Sequence, residues 1–336
     1  MKPQKGAALL AAMLTVTLVA TLAAAALWQQ WRSVEIEAAE RSRVQSAWIL
    51  TGALDWARLI LREDARAGGA DHLAEPWALP LQEARLSTFL ATDANTADTD
   101  RDAFLSGQIS DLQARMNAMN LIDDDRISES ALIAFTKLFE QLGLPLQQLD
   151  TLAGELLAAK KSAAPDAASS AAIALLPQRV DQLVWLGLPA RTVTVLSPYI
   201  TVLPYRTKVN INTASAEVIH ASVPGLDLAD ARRMLAARES AHFATISDAR
   251  LPGAVTAPSG SAMLTVTSDF FEVRGRLRLD LRDVFVRLTE RGHPACGKRD
   301  GTGQAEQRGP VALPIVLTDA RRFVLADTEV TLDVLA

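Results

Sequence analysis

The alternation of apolar and polar positions changes period several times along this chain. Residues 7–28 (AALLAAMLTVTLVATLAAAALW) carry no charge, and only Thr15, Thr17 and Thr21 are polar. At about 1.5 Å per residue such a run makes a helix of roughly 33 Å, enough to cross a bilayer core of about 30 Å. The pattern then stays helical but turns amphipathic. From Arg32 to Asp64 there is no Pro and a single Gly, Gly52. Glu35, Glu37, Glu40, Arg41 and Arg43 fill the first part as in an exposed stalk, and Ile49, Ala53, Trp56 and Ile60 then recur at +4, +3 and +4. One helix of about 55 residues is predicted, apolar first and amphipathic second, without the sustained heptads of a coiled coil.

Residues 122–206 read as helical. Ser128 is a candidate N-cap; Leu132, Phe135, Leu138, Phe139 and Leu142 form an apolar stripe that stops at Gly143. A second helix is expected over Leu146–Ala159, then a low-complexity linker at 160–172 (KKSAAPDAASSAA). Two short helices follow at Val180–Leu186 and Ala190–Leu196, separated by Gly187 and Pro189, and a strand is expected in YITVL between Pro198 and Pro204. Over 209–240, Asn212 or Thr213 would cap a helix running to Ser222, PGLDLADA would turn, and a second helix would reach Arg238. Beyond Pro252–Ser261 the period becomes two. Val273, Gly275, Leu277, Leu279 and Leu281 alternate with Arg274, Arg276, Arg278 and Asp280, and Val284, Val286 and Leu288 continue after a turn near Arg282–Asp283, which is an antiparallel hairpin with one buried face. A Gly-rich loop (292–310) and the apolar segments Val311–Leu317 and Phe323–Leu335 close the chain.

Composition narrows the function. The 336 residues suffice for two or three domains, with net charge −5 and one cysteine, Cys296. The acidic balance argues against a nucleic-acid binder, and the lone cysteine excludes an intrachain disulfide or a cysteine-based zinc site. Cys296 sits in the Gly-rich loop, where it reads as an incidental thiol or a link to another chain. The four histidines, His72, His220, His242 and His293, are too scattered for a His-rich metal centre. Neither G-x-S-x-G, H-E-x-x-H, Walker A nor G-x-G-x-x-G occurs, so no enzyme is expected.

The N-terminus admits three readings: a secretory signal, a plain signal anchor and a prepilin-like leader. Lys2 and Lys5 before the apolar run, and Trp28 and Trp31 after it, place the N-terminus in the cytoplasm and the rest across the membrane. The apolar run is longer than a secretory signal needs. A short basic leader MKPQKG ending in Gly resembles type IV prepilin leaders. That resemblance implies cleavage by prepilin peptidase between Gly6 and Ala7 and retention of the apolar helix. Pilins and major pseudopilins usually carry Glu at the fifth mature position, and here that position is Ala11. The glutamate is thought to neutralise the amine of a neighbouring subunit, so its absence fits a subunit with none above it.

Two further segments extend the resemblance. DHLAEPWALPL (71–81) and GQISDLQARMNAMNL (107–121), the latter with Ile109, Asp111, Arg115, Asn117, Asn120 and Leu121 in place, resemble general secretion pathway protein K, the large minor pseudopilin of type II secretion. The N-I-N-T-A-S opening at 210–215 is typical of the same family. The resemblance covers nearly the whole chain. It implies an α+β, pilin-like fold, a long N-terminal helix packed on an antiparallel sheet, with an inserted all-helical domain of two SAM-like or helix-hairpin-helix-like modules. The expected divisions are a leader (1–6), a transmembrane part (7–31), a first pilin-like part (32–121), a first helical module (122–206), a second (207–250) and C-terminal strands (251–336). It also implies a single-pass protein of the bacterial inner membrane with its C-terminal domain in the periplasm. The expected partners are prepilin peptidase, the inner-membrane secretion platform and the I- and J-type minor pseudopilins, at the tip of a pseudopilus that promotes export of folded proteins.

Site candidates are few. Ile49, Ala53, Trp56 and Ile60 are either a partner interface or a face covered by the chain's own sheet. Calcium is the one cofactor considered, because hard cations take oxygen ligands from Asp-rich loops. Asp93, Asp98, Asp100 and Asp102 form the densest such loop and Asp123–Asp125 a second, although neither matches an EF-hand and a solvated loop explains both. The alternative to a secretion subunit is a membrane-anchored helix-hairpin-helix protein binding nucleic acid around Pro224–Gly225. Asp227 stands where that hairpin usually has its second Gly, and its charge would repel phosphate, so no nucleic acid is expected.

Overall fold

A computed structural model describes residues 5–85, 103–163, 175–251, 263–279 and 282–291. By internal contacts the chain divides into two compact units, Met1–Ala53 and Leu54–Ala336. Helix α1 (Lys5–Ala67) runs as one element of 63 residues. In the first unit its side chains from Leu9 to Trp31 point outward, and it is long and apolar enough there to cross a membrane. The threonines do not break that character. The hydroxyls of Thr15, Thr17 and Thr21 donate to the carbonyls of Ala12, Leu14 and Leu18 at 2.9, 3.0 and 2.9 Å, so each hydroxyl hydrogen is satisfied within the helix.

In the second unit α1 ends at a glycine pair. Gly68 and Gly69 have φ of 65° and 130°, and Gly68 N–H donates to Asp64 O at 3.0 Å, a left-handed cap that side chains rarely tolerate. The buried positions of this last stretch are Leu54, Ala57 and Leu61, spaced +3 and +4.

The remaining elements are β1 (Leu81–Arg85), β2 (Ala103–Asp111), β3 (Met116–Asn117), β4 (Ile122–Asp123), β5 (Arg126–Ile127), α2 (Glu129–Gln141), α3 (Leu146–Ser162), α4 (Ala190–Leu196), β6 (Ile200–Thr201), β7 (Val209–Asn210), α5 (Ala216–Ser222), α6 (Leu228–Ser240), β8 (Leu264–Thr265), β9 (Phe270–Leu279) and β10 (Arg282–Arg291). The main sheet has the order β1-β2-β9-β10 and is antiparallel throughout. Its strands β2 and β9 are direct neighbours although the whole helical region lies between them in sequence.

That region closes on itself twice. β3 pairs parallel with β6, and β7 pairs parallel with β8. Each pair sets the chain entering a group of helices beside the chain leaving it. Asparagines lock both closures. Asn117 donates through Nδ2 to Tyr205 O at 2.7 Å, and its Oδ1 accepts from Met119 N and Leu203 N at 3.0 and 3.1 Å. Asn120 donates to Thr207 O and accepts from Thr207 N, at 2.7 and 3.0 Å. Asn212 exchanges the same two bonds with Phe243, both at 2.9 Å. One hydrophobic cluster, from Met116 through Phe135, Leu152, Leu186 and Ile219 to Leu264, runs through both groups of helices. Lys137 of α2 reaches across to donate to Val223 O at 2.9 Å, capping the C-terminal end of α5.

Several sequence expectations are corrected in detail. Val180–Leu186 is a 3-10 helix ended by Gly187 at φ 83°. The strand in YITVL shortens to Ile200–Thr201, since each parallel closure needs only two residues. Helix α5 is capped by Ser215 rather than Asn212 or Thr213, because those two side chains are used in tertiary bonds. Arg282 and Asp283, expected at a turn, are instead the first residues of β10, paired with Leu279 and Arg278. Cys296, Val311–Leu317 and Phe323–Leu335 lie outside the described residues.

Asn117 supplies both faces of a buried turn, so replacing it with Ala leaves Met119 N, Leu203 N and Tyr205 O without this partner. Asn117→Ala is expected to destabilise the chain by about 3 kcal/mol or more, three groups at about 1–3 kcal/mol each. Chemical denaturation monitored by tryptophan fluorescence reads it, and a loss below about 0.5 kcal/mol, the scale of an ordinary surface substitution, would mean the staple is dispensable.

Candidate functional site

The turn that follows α1 gathers charge. Asp64 sits in the last turn of α1, and the Gly68–Gly69 reversal brings back Asp71 and Glu75. Carboxylate oxygens of all three lie within 4.8 Å of one another. The turn is held rigidly. Asp71 N donates to Val266 O at 2.8 Å, and Asp71 Oδ2 accepts from Ser268 N at 2.6 Å. Glu75 Oε2 accepts from His72 N at 2.9 Å and from Trp77 Nε1 at 2.7 Å. The Trp77 ring is buried edge-on against Phe271 of β9, with centroids 5.0 Å apart. His72 stacks on His242, at 3.8 Å between ring centroids.

Behind this cluster Asp111, the last residue of β2, is buried. Its Oδ1 accepts from Gln113 N at 2.7 Å, and its Oδ2 accepts from Thr213 Oγ1 and Ser268 Oγ at 2.5 and 2.6 Å. Asn210 Nδ2 lies 3.2 Å from the same oxygen and 3.1 Å from Asp71 O, which joins the two acidic groups through one amide. Burial pushes the Asp71 carboxyl up to about 7; the carboxylates of Glu75, Asp64 and Asp111 add to that, and the Ser268 N–H opposes it. Burial also raises Asp111 against its four hydrogen-bond donors. Three crowded carboxylates either share protons or hold a cation. An all-oxygen donor set of this kind suits a hard ion such as calcium.

The sequence candidates fare unevenly. Asp93, Asp98, Asp100 and Asp102 lie outside the described residues. Asp123–Asp125 form the tight β4–β5 turn, with Asp124 at φ 52° and Asp123 paired to Arg206, which accounts for them without an ion. Gly6, Ala7 and Ala11 lie in the first turns of α1. Of the proposed stripe, Ile49, Ala53 and Ile60 are half-buried and Trp56 is 42% exposed. In the second unit the fully buried positions are instead those one residue further on, Leu54, Ala57 and Leu61. Asp227 caps α6 by accepting from Asp230 N at 2.6 Å, so a carboxylate already occupies the amide-lined place a phosphate would take.

Asp64, Asp71 and Glu75 were missed as a group because a helix end and a turn had to fold together. The usable signal was an acid on each side of Gly68–Gly69. DHLAEPW drew attention only as a resemblance, yet it holds two of the three carboxylates and the tryptophan that orients one of them.

The sequence matches the family described as type II secretion system protein K over residues 114–205 and again over 209–272. Similar proteins include the type II secretion system protein K of Pseudomonas aeruginosa, 26% identical over 94% of this chain and 96% of that protein. The protein of the same description from Klebsiella pneumoniae is 30% identical over 73% of this chain and 78% of its own length. Among solved structures, a chain of the GspK-GspI-GspJ complex of the enterotoxigenic Escherichia coli type 2 secretion system superposes with a TM-score of 0.56 at 17% identity. The match covers 75% of this chain and 92% of that one, which establishes a shared mixed helix-and-sheet fold.

The acidic cluster sets a pH dependence of stability. The folded chain holds the Asp71 proton up to about 7, whereas the unfolded carboxyl releases it from about 3.8. Between those values the folded state binds more protons, so this contribution is complete at low pH and is lost as pH rises toward 7. In chelator the melting midpoint is expected to fall over that range, and Asp71→Asn, which still accepts from Ser268 N, is expected to flatten the fall. A wild-type midpoint that does not change with pH would contradict this protonation.

Proposed function

The chain belongs to the type II secretion system protein K family, and from that premise we propose that it is a minor pseudopilin at the tip of the periplasmic pseudopilus. There it joins the I- and J-type minor pseudopilins and promotes export of folded proteins across the outer membrane. The observation that carries the proposal is the combination of one long helix, apolar then amphipathic, with a sheet whose neighbouring strands β2 and β9 bracket a helical region. In this reading the helix and sheet are a pilin-like domain and residues 122–250 an insertion of two modules. The apolar half of α1 anchors the chain once in the inner membrane, where the secretion platform resides, and the remainder is periplasmic. The solved complex of a similar fold holds GspI and GspJ, which supports the choice of partners.

Two features favour the tip over the shaft. A fibre subunit needs room above itself for the next one, and the inserted helices add bulk to one end of a pilin-like head. Ala11 offers no acid to a neighbour's terminal amine, and an unpaired charge in lipid costs several kcal/mol. The chain would therefore begin a fibre without extending one. We propose calcium as the ion of the Asp64, Asp71 and Glu75 cluster, where it would replace shared protons and brace the turn between α1 and β1.

Processing tests the leader. The mature protein is expected to begin at Ala7, and Gly6→Leu to block cleavage, both read by intact mass and N-terminal sequencing. A mature chain starting near Ala26, or retaining Met1 beside active peptidase, contradicts the assignment.

Stoichiometry tests the tip. Overproduction is expected to shorten or abolish pseudopili seen by electron microscopy. Ala11→Glu alone should not create a repeating subunit, because the inserted bulk remains. Long homopolymeric fibres of this chain would exclude the tip position.

A further inference from the structure

The buried face of α1 is not its only apolar one. Ser46 and Leu50 are buried, whereas Val44 and Trp48 are 53% and 73% exposed on the opposite side of the helix, at about 100° of rotation per residue. Val44, Trp48 and Gly52 follow one another at four-residue steps, the spacing of a ridge by which helices pack on each other. Trp56, the next position of that row, is 42% exposed. Gly52 interrupts the ridge. A Cβ placed there would meet nothing within 4 Å, so a notch is left beside Trp48. Glycine is a poor helix former, and here neither a turn, a left-handed φ nor a close approach within the chain calls for one.

The surroundings of the row say what fills the notch. Glu37 pairs with Arg41 before it and Asp55 with Arg58 after it, so the charges at its two ends are already matched and the row between them suits an apolar counterpart. Lipid does not reach it. Trp48 stands about 25 Å beyond Trp31, where the apolar stretch ends, at about 1.5 Å per residue. A second copy of the chain fits poorly. Two copies anchored in one membrane with the same orientation run parallel, and about a two-fold axis each position meets itself. Gly52 would face Gly52 while the Trp48 side chains held the helices apart, and the notch would remain an empty cavity. The row is also small. A tryptophan buries about 150–250 Å², so the exposed parts of Trp48 and Trp56 together with Val44 offer at most roughly 500 Å², short of the about 800 Å² per side of a stable complex. Its occupant is therefore a helix that the membrane already holds beside α1, where tethering raises the effective concentration.

We propose that the notch at Gly52 seats one bulky aliphatic side chain, Leu, Ile or Met, from a parallel helix of a different membrane-anchored subunit. The proposal rests on the pseudopilin reading, which supplies such neighbours in the I- and J-type subunits, and adds which face of α1 they meet and why that face does not pair with itself.

The test co-expresses the full chain with the I- and J-type minor pseudopilins of its own system, extracts the membranes in non-ionic detergent and recovers the chain by an affinity tag. Gly52→Leu fills the notch, displaces no neighbouring atom and improves helix propensity. Its melting midpoint is expected to hold or rise while recovery of the partners falls about tenfold, because an overfilled contact no longer closes. Trp48→Ala is expected to lower recovery similarly, as loss of an exposed aromatic anchor does. Recovery at or above the wild-type level with Gly52→Leu would overturn the notch and leave the pseudopilin reading in place. A wild-type chain that recovers neither partner would overturn that reading and the notch with it. A photo-reactive phenylalanine in place of Val44 identifies the occupant directly. A cross-link to the I- or J-type subunit is expected, and a cross-link only to a second copy of this chain or only to lipid would overturn the proposal.

Discussion

The buried carboxylate of Asp111 is the constraint on which the second unit depends. A carboxylate out of water needs several donors, and removing them individually costs far more than an exposed ion pair ever returns. Its four donors come from three places in the sequence: Gln113 just after β2, Asn210 and Thr213 at the entry to α5, and Ser268 just before β9. Satisfying one side chain therefore brings together the strand the chain leaves, the strand it rejoins, and the start of the second group of helices. Ser268 N and Asn210 Nδ2 extend the same network to Asp71, so the turn after α1 is positioned by the bonds that close the sheet.

Much of the architecture was legible in the sequence. Period 3.6 marked α1 and α2, period 2 marked β9 and β10, Gly143 marked the stop of α2 and Gly187 that of the 3-10 helix, because each signal is local. On α1 the buried stripe lies one residue beyond the stripe singled out as either a partner interface or a covered face. Apolar residues occur on adjoining stripes there, and Trp56 is the more prominent side chain, yet the smaller Leu54, Ala57 and Leu61 are the buried ones. Asn117, Asn120, Asn210 and Asn212 stood out in segments resembling a family, but their use as closures between distant chain segments leaves no periodic trace. The acidic cluster was illegible for a similar reason. Asp64 belongs to a helix pattern and Asp71 to a loop, and only the left-handed Gly68 and Gly69 make them neighbours.

The paired strands that close the helical groups explain how so large an insertion leaves the sheet regular. β2 and β9 hold nine consecutive register pairs, from Ala103 with Leu279 to Asp111 with Phe271, without a bulge. An insertion whose ends were far apart would pull such strands out of register or demand long linkers. Here β3 lies beside β6 and β7 beside β8, so each group of helices starts and finishes at one place. The sheet can then pair as though β2 and β9 were joined by an ordinary connection.

That arrangement also decides where charge can be stored. At the junction Asp111 is met by three side-chain donors and one backbone amide, and Asp71 by the Ser268 amide, so a change at the acidic cluster is felt by the α1 turn and by the start of β9 together. On the outer sheet face the reverse holds. Gly107 faces Gly275 across β2 and β9, and a Cβ on Gly107 would come within 3.1 Å of Arg274 O, so the two strands run close together there. The acidic junction orders the chain from within, whereas the outer sheet face balances charge at its surface, pairing Arg274 with Glu272 and Arg278 with Glu83.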